Sequence, residues 1–168
     1  MKTFMCLISL AFALAAGPLC AAERVADAQG SAVAAAATDT YLDHAREITV
    51  RALALLGVNY KWGSSNPARG FDCSGLVTHV FQQVAGLVLP RNSQAMSKVG
   101  EKIAEPDLQP GDLVFFNTRR QPNSHVGIYI GNERFVHAPS RGGEVAISDM
   151  QESYWKKRFN GARRMLTE

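Results

Sequence analysis

The chain is poor in cysteine, nearly balanced in charge, and without an apolar run long enough to cross a bilayer. Each shortage excludes something. Three cysteines among 168 residues cannot all pair within one chain, so a complete disulfide framework is excluded. A formal net charge of +3 is too small to point to nucleic acid as a partner. The longest apolar stretch, Phe4 to Ala16, falls short of the ~20 residues that a membrane-spanning helix needs. Cys-x-x-Cys and His-x-x-x-His spacings are missing, which leaves a zinc site built on Cys73, His125 and His137 without support. No metal or other cofactor is expected. Internal repeats are missing as well. What remains is 46% hydrophobic, too apolar for a disordered chain and long enough for one domain with a sizeable core.

The first 22 residues read as a secretory signal peptide. Lys2 supplies the positive start, Phe4 to Ala16 the short apolar region, Gly17-Pro18 the breaker, and Leu19-Cys20-Ala21-Ala22 the small-residue end. Cleavage is expected after Ala22, with Ala21 as the alternative. Lipidation at Cys20, which would attach the protein to the outer membrane, is the less favoured outcome, because bulky Leu19 stands where a lipoprotein signal carries a small residue. The expected location is periplasmic or secreted. Cleavage removes Cys6 and Cys20 and leaves Cys73 alone. Oxidising compartments tend to pair or remove spare thiols, so a lone cysteine is either an inert buried thiol or a nucleophile.

Residues 23–40 form an Ala-rich linker without a periodic apolar face. The catalytic domain is expected over 41–168. Leu42, Ala45, Ile48, Ala52 and Leu55 recur at helical spacing, and Gly57 ends that helix. A loop rich in Gly, Ser, Asn and Pro runs from Tyr60 to Gly70. Asp72 stands where a helix N-cap belongs, and Leu76, Val77, Val80, Phe81 and Val84 give the next helix its apolar face before Gly86. A short helix is expected over Ser93 to Val99. The pattern then turns to strands: Leu113–Phe116, a hairpin of Val126–Ile130 and Arg134–His137, then Glu144–Ser148 and Phe159–Met165. Helices first and antiparallel strands second make the class α+β.

Cys73 falls in the first turn of a predicted helix, where unsatisfied N–H groups and the dipole favour a thiolate. The adjoining apolar face at Leu76, Val77 and Val80 turns the thiol towards the sheet. Strand alternation sets His125, Gly127 and Tyr129 on one face and Phe135 and His137 on one face of the next strand. A hairpin loop at Gly131–Glu133 puts residue 137 opposite 127 and diagonal to 125, within reach of two imidazoles. Gly127 is expected to leave open space there, and Cys73 packed on this face would complete a row. Cys73 would attack a carbonyl, His125 would move the proton, and His137 would fix the tautomer of His125. The Cys73 backbone N–H would serve an oxyanion hole.

The motifs in order are Tyr60-Lys61-Trp62-Gly63, Gly70-Phe71-Asp72-Cys73-Ser74-Gly75, Leu89-Pro90-Arg91, Pro110-Gly111-Asp112-Leu113-Val114-Phe115-Phe116, Ser124-His125-Val126-Gly127-Ile128-Tyr129-Ile130-Gly131 and Phe135-Val136-His137-Ala138. Together they resemble the NlpC/P60 cysteine peptidases over about residues 45–165. The closing Tyr154-Trp155-Lys156-Lys157-Arg158-Phe159 and Ala162-Arg163-Arg164 resemble the small single-domain murein endopeptidases of Gram-negative bacteria in that family. The resemblance implies a papain-like fold and hydrolysis of peptidoglycan stem peptides. It implies Cys73 as nucleophile, His125 as base and His137 as orienting residue, with Tyr60, Asp72 and Ser74 lining the substrate site. Ser64 stands where many members carry a second glycine. Residues 23–40 are too few for an SH3-like wall-binding module.

Two bonds are candidates: γ-D-glutamyl–diaminopimelate and the D-alanyl–diaminopimelate cross-link. The rival readings are an acyltransferase or transglutaminase-type enzyme using the same nucleophile, and a non-catalytic wall-binding protein. The protein is expected to act as a monomer on stem peptides. Arg91 and Arg141 are candidates for a substrate carboxylate. His44 and His79 read as solvated helix residues, Trp62 as cleft or core, and Lys156, Lys157, Arg158, Arg163 and Arg164 as a solvated basic face.

Overall fold

The computed structural model describes residues 39–118, 120–140 and 143–166. The expected signal peptide at 1–22, the linker up to 38, and Arg141 lie outside them. Helix α1 covers 39–53, so it begins inside the stretch expected as linker and stops short of residue 56. Ala45, Ile48 and Ala52 form its buried stripe, with Leu55 just beyond. Leu42, expected in that stripe, is exposed. It borders a shallow groove with Val50, Pro110 and Ile130.

A two-stranded ribbon, β1 (Ser65–Asn66) with β2 (Gly70–Phe71), leads into α2 (Cys73–Ala85). The short α3 (Ser93–Met96) is a turn shorter than its sequence pattern. The sheet follows: β3 (Glu101–Ile103), β4 (Leu113–Phe116), β5 (His125–Gly131), β6 (Arg134–His137), β7 (Ala146–Asp149) and β8 (Phe159–Arg164). A 3₁₀ turn at Glu105–Asp107 follows β3, and α4 (Ser153–Lys156) precedes β8. The six strands run in the order β3-β8-β4-β5-β6-β7, each pair antiparallel. The β5–β6 turn has two residues, Asn132 and Glu133, both at positive φ (50° and 57°), as a hairpin of right-handed twist prefers.

Alternation along the strands divides the core in two. Leu113, Phe115, Val126, Ile128 and Val136 join the inner faces of α1 and α2. Val114, Phe116, Tyr129 and Phe135 point the other way and meet Trp155 of α4, Met150 and Ala162. All four residues of β4 are therefore buried, which explains why Leu-Val-Phe-Phe shows no polar alternation. β3 and α4 are too short to leave a periodic pattern.

The basic cluster is not wholly solvated. Arg164 Nε and Nη2 each lie 2.8 Å from the buried Asp112 carboxylate, and that bond raises the Arg164 pKa. Arg163 Nε donates to the Ser97 carbonyl at 2.7 Å. These bonds tie β8 to the Pro110-Gly111-Asp112 turn and to the end of α3. His44 and His79 are likewise partly buried rather than solvated. The His79 ring lies 5.2 Å from that of Phe71, because α2 packs against the residues leading into it. Burial first and Arg51 second lower the pKa of His79.

Candidate active site

Cys73 is the first residue of α2 and is only partly buried. Asp72 before it is the N-cap, its carboxylate accepting from Gly75 N at 2.7 Å and from Gly63 N at 2.8 Å. Arg91 grips the same carboxylate through Nη1 at 2.9 Å and Nη2 at 3.2 Å. Arg91 Nη1 also donates to Ser74 Oγ at 2.9 Å. The expectation of Arg91 as a separate charge reaching for substrate is thereby changed. Its fork is committed to Asp72, and the pair fixes the start of α2.

Gly75 is required here. A Cβ would stand 2.0 Å from the Ser64 carbonyl oxygen and 2.7 Å from Arg91 Nη2. The backbone of the preceding loop thus lies directly on the first turn of α2. Ser64 is buried in that loop, where its carbonyl accepts from Asp72 N at 3.1 Å and its Oγ from Asn66 N at 3.3 Å. Serine in place of the second glycine is part of the loop's bonding.

A cavity of about 270 Å³ opens beside the thiol, lined by Trp62, Asp72, Cys73, Ser74, Arg91 and Ser124 among others. Trp62 is 69% exposed at its rim, which removes the core reading of that residue. Tyr60 is half-buried against the helix-side core and does not line this cavity.

His125 opens β5 and His137 closes β6. Their rings meet through Nε2 of His125 and Nδ1 of His137 at 2.8 Å. The register Ile128↔Val136 and Tyr129↔Phe135, carried one step back, sets 127 opposite 137, which is the diagonal the sequence predicts. The other ring nitrogen of His137 lies 3.0 Å from Ser148 Oγ on β7. Trp155 stacks on His125 (5.6 Å, 25°) and meets His137 edge-on (4.9 Å, 83°). Sequence reasoning missed both roles. The alternation of Ala146 and Ser148 points to Ser148 only once the β6–β7 register is known.

Two expectations change at this point. Gly127 does not leave open space: an added Cβ would come within 2.5 Å of Phe135 Cδ2 and 3.3 Å of His137 Cβ. The missing side chain is what lets β6 aromatics pack close. The histidines also share their sheet face with Phe135 and Trp155, whereas α2 covers the opposite face. Cys73 is therefore not laid on the histidine face. Its cavity reaches β5 at Ser124, immediately before His125.

Burial first and the neighbouring His125 second push the pKa of His137 down to about 2. His137 is therefore neutral and carries one N–H. An acceptor Nδ1 facing His125 requires that proton on Nε2, donated to Ser148 Oγ. With that proton placement, His125 Nε2 is the donor to His137 Nδ1. Among the described residues, no group of three or more His, Cys, Asp or Glu converges to hold a metal ion.

The model of the NlpC/P60 family matches residues 57–164. The chain belongs to the NlpC/P60 family. Its α+β fold, with α1 and α2 on one face of an antiparallel sheet, is shared with solved structures of that family. A crystal structure of an NlpC/P60 family protein from Bacillus cereus superposes with a TM-score of 0.68 at 30% identity, covering 73% of this chain and 40% of that one. A Gamma-DL-glutamyl hydrolase of Bacillus subtilis is 50% identical over 110 residues, which are 65% of this chain and 26% of the relative. Murein DD-endopeptidase MepS/Murein LD-carboxypeptidase of Escherichia coli is 47% identical over 111 residues, 66% of this chain and 57% of the relative. This NlpC/P60 chain thus matches well under two thirds of the length of these curated relatives.

Proposed function

We propose that this NlpC/P60 domain is an exported cysteine endopeptidase that hydrolyses peptidoglycan stem peptides. One observation carries the reading: a relay from His125 through neutral His137 to Ser148, beside a cavity that holds a helix-start thiol. The likeness to a murein endopeptidase supports the substrate class. Export rests on the signal-peptide pattern of residues 1–22.

The steps follow from the groups present. The Cys73 thiol passes its proton to His125, and the thiolate attacks the stem-peptide carbonyl. The backbone N–H groups at the start of α2 stabilise the oxyanion. The C–N bond breaks as His125 protonates the leaving amine, and a thioester remains on Cys73. Water, deprotonated by His125, then releases the acid and restores the thiol. Through both halves His137 accepts from His125 Nε2–H, and Ser148 fixes the tautomer that makes this acceptance available. Asp72, Ser74 and Arg91 shape the acyl side of the cleft, with Tyr60 supporting the loop that carries it.

Digestion of purified sacculi with the reduced protein tests this. Mass analysis of the muropeptides is expected to show new free amino ends on stem peptides, absent with Cys73→Ala. Sacculi unchanged by the wild-type protein overturn the reading. Aminated or esterified products replace it with acyl transfer.

A further inference from the structure

A second cavity, of about 530 Å³, is lined by His125 together with Thr118, Arg120, Ser140, Tyr154 and Arg158. The two cavities differ in charge. In the Cys73 cavity the lining Arg91 is matched by Asp72. Among the described residues lining the His125 cavity are two arginines and no carboxylate. We propose that this second cavity is the leaving-group subsite, where Arg120 and Arg158 bind a free carboxylate on the carbon that bears the leaving amine. The inference rests on the peptidase reading above and adds to it a choice of bond.

The side follows from the chemistry. The group that protonates the departing nitrogen must touch it, so the cavity containing His125 receives the amine fragment. The cavity containing Cys73 receives the acyl fragment. A substituent on the amine's own carbon therefore falls beside His125.

The cavity is built rather than casual. Arg158 Cζ lies 3.9 Å from the centre of the Tyr154 ring, and Nη1 donates to the Tyr154 carbonyl at 2.9 Å. Guanidinium has five N–H donors in a planar fork, so an edge remains for a carboxylate. Arg120 sits in the loop between β4 and β5 at φ 57°. That loop is closed by Thr118 N to Ser124 Oγ (2.9 Å) and Asn123 N to Asn117 Oδ1 (2.9 Å). Asn160 Nδ2 bonds Asn123 Oδ1 at 2.8 Å and fastens the loop to β8.

The two candidate bonds differ at this carbon. In the D-alanyl–diaminopimelate cross-link, the carbon bearing the leaving amine carries a free carboxylate. In the γ-D-glutamyl–diaminopimelate bond of a tetrapeptide stem, the corresponding carboxyl is already an amide to the next residue. An arginine-lined leaving-group site selects the first.

The test compares two synthetic cross-linked stem dimers, one with that carboxylate free and one with it amidated. The wild-type protein is expected to cut the free acid with kcat/KM about tenfold higher or more, the scale of a charge-assisted bond. Arg120→Gln and Arg158→Gln are each expected to remove most of that advantage through KM, lowering cutting of the free acid far more than cutting of the amidated dimer. Arg120 is exposed, so its variant decides the matter even where Arg158→Gln fails to fold. Equal cutting of both dimers by the wild type overturns the carboxylate site and spares the peptidase reading. Cutting of neither dimer, with sacculi also intact, overturns the peptidase reading.

Discussion

The two faces of the sheet do different work. The face under α1 and α2 is a deep apolar core in which Leu76, Val77, Val80, Phe81, Val126 and Ile128 are all fully buried. The other face is thinly covered by the single-turn α4, and its aromatic cluster surrounds two histidines. The thick side positions the helix that starts at Cys73. The thin side holds His125, the proposed base, which also lines a cavity. A catalytic imidazole needs that combination of fixed ring and reachable nitrogen.

Mutations that separate the faces test this division. The largest effect is expected from Phe81→Ala and Trp155→Ala, each destabilising by about 3–5 kcal/mol. Denaturant melts should find them similar. Turnover per folded molecule in the cold should not: Phe81→Ala keeps it, and Trp155→Ala loses most of it because His125 loses its stacking partner.

A smaller effect separates them by pH. His137 has a folded pKa of about 2 against ~6.5 unfolded. The unfolded chain therefore binds the extra proton first as pH falls. Stability from this group is full above pH ~6.5 and declines below it by about 1.4 kcal/mol per unit. Between pH 6.5 and 4.5 the wild type should lose about 2 kcal/mol from this source. His137→Asn should abolish that slope while keeping measurable activity, since an amide can still accept from His125. Equal acid slopes in the two proteins contradict the assignment.

Ser148→Ala should have the smallest effect. Loss of one hydrogen bond to a neutral ring is worth about 1 kcal/mol, or some fivefold in kcat, with KM unchanged. Ser148→Thr should restore it.

Local pattern carried much of this into the sequence. Asp72 as N-cap, Cys73 at the helix start and the diagonal of His125 and His137 all follow from spacings within a dozen or so residues. What the sequence hid depends on distant partners. Arg91 reads as a surface charge until Asp72, nineteen positions away, is seen to hold it. Ser148 acquires its role only from the β6–β7 register, which the intervening loop conceals. Alternation correctly grouped His125 with Tyr129, but it does not say which face a helix will cover. That is why Cys73 was expected on the wrong one.

The alternation of β5 has a last consequence, for errors in assembly. Slipping β5 by one residue would turn Val126 and Ile128 towards Trp155 and press His125 and Tyr129 against α2. Such a molecule would lose its apolar core and the placement of His125 in the same step. The left-handed Asn132-Glu133 turn and the irregular pairing at Gly131 hold the strand against that slip. Misassembled copies would thus lose the site as well as the core, so the fold carries its own proofreading.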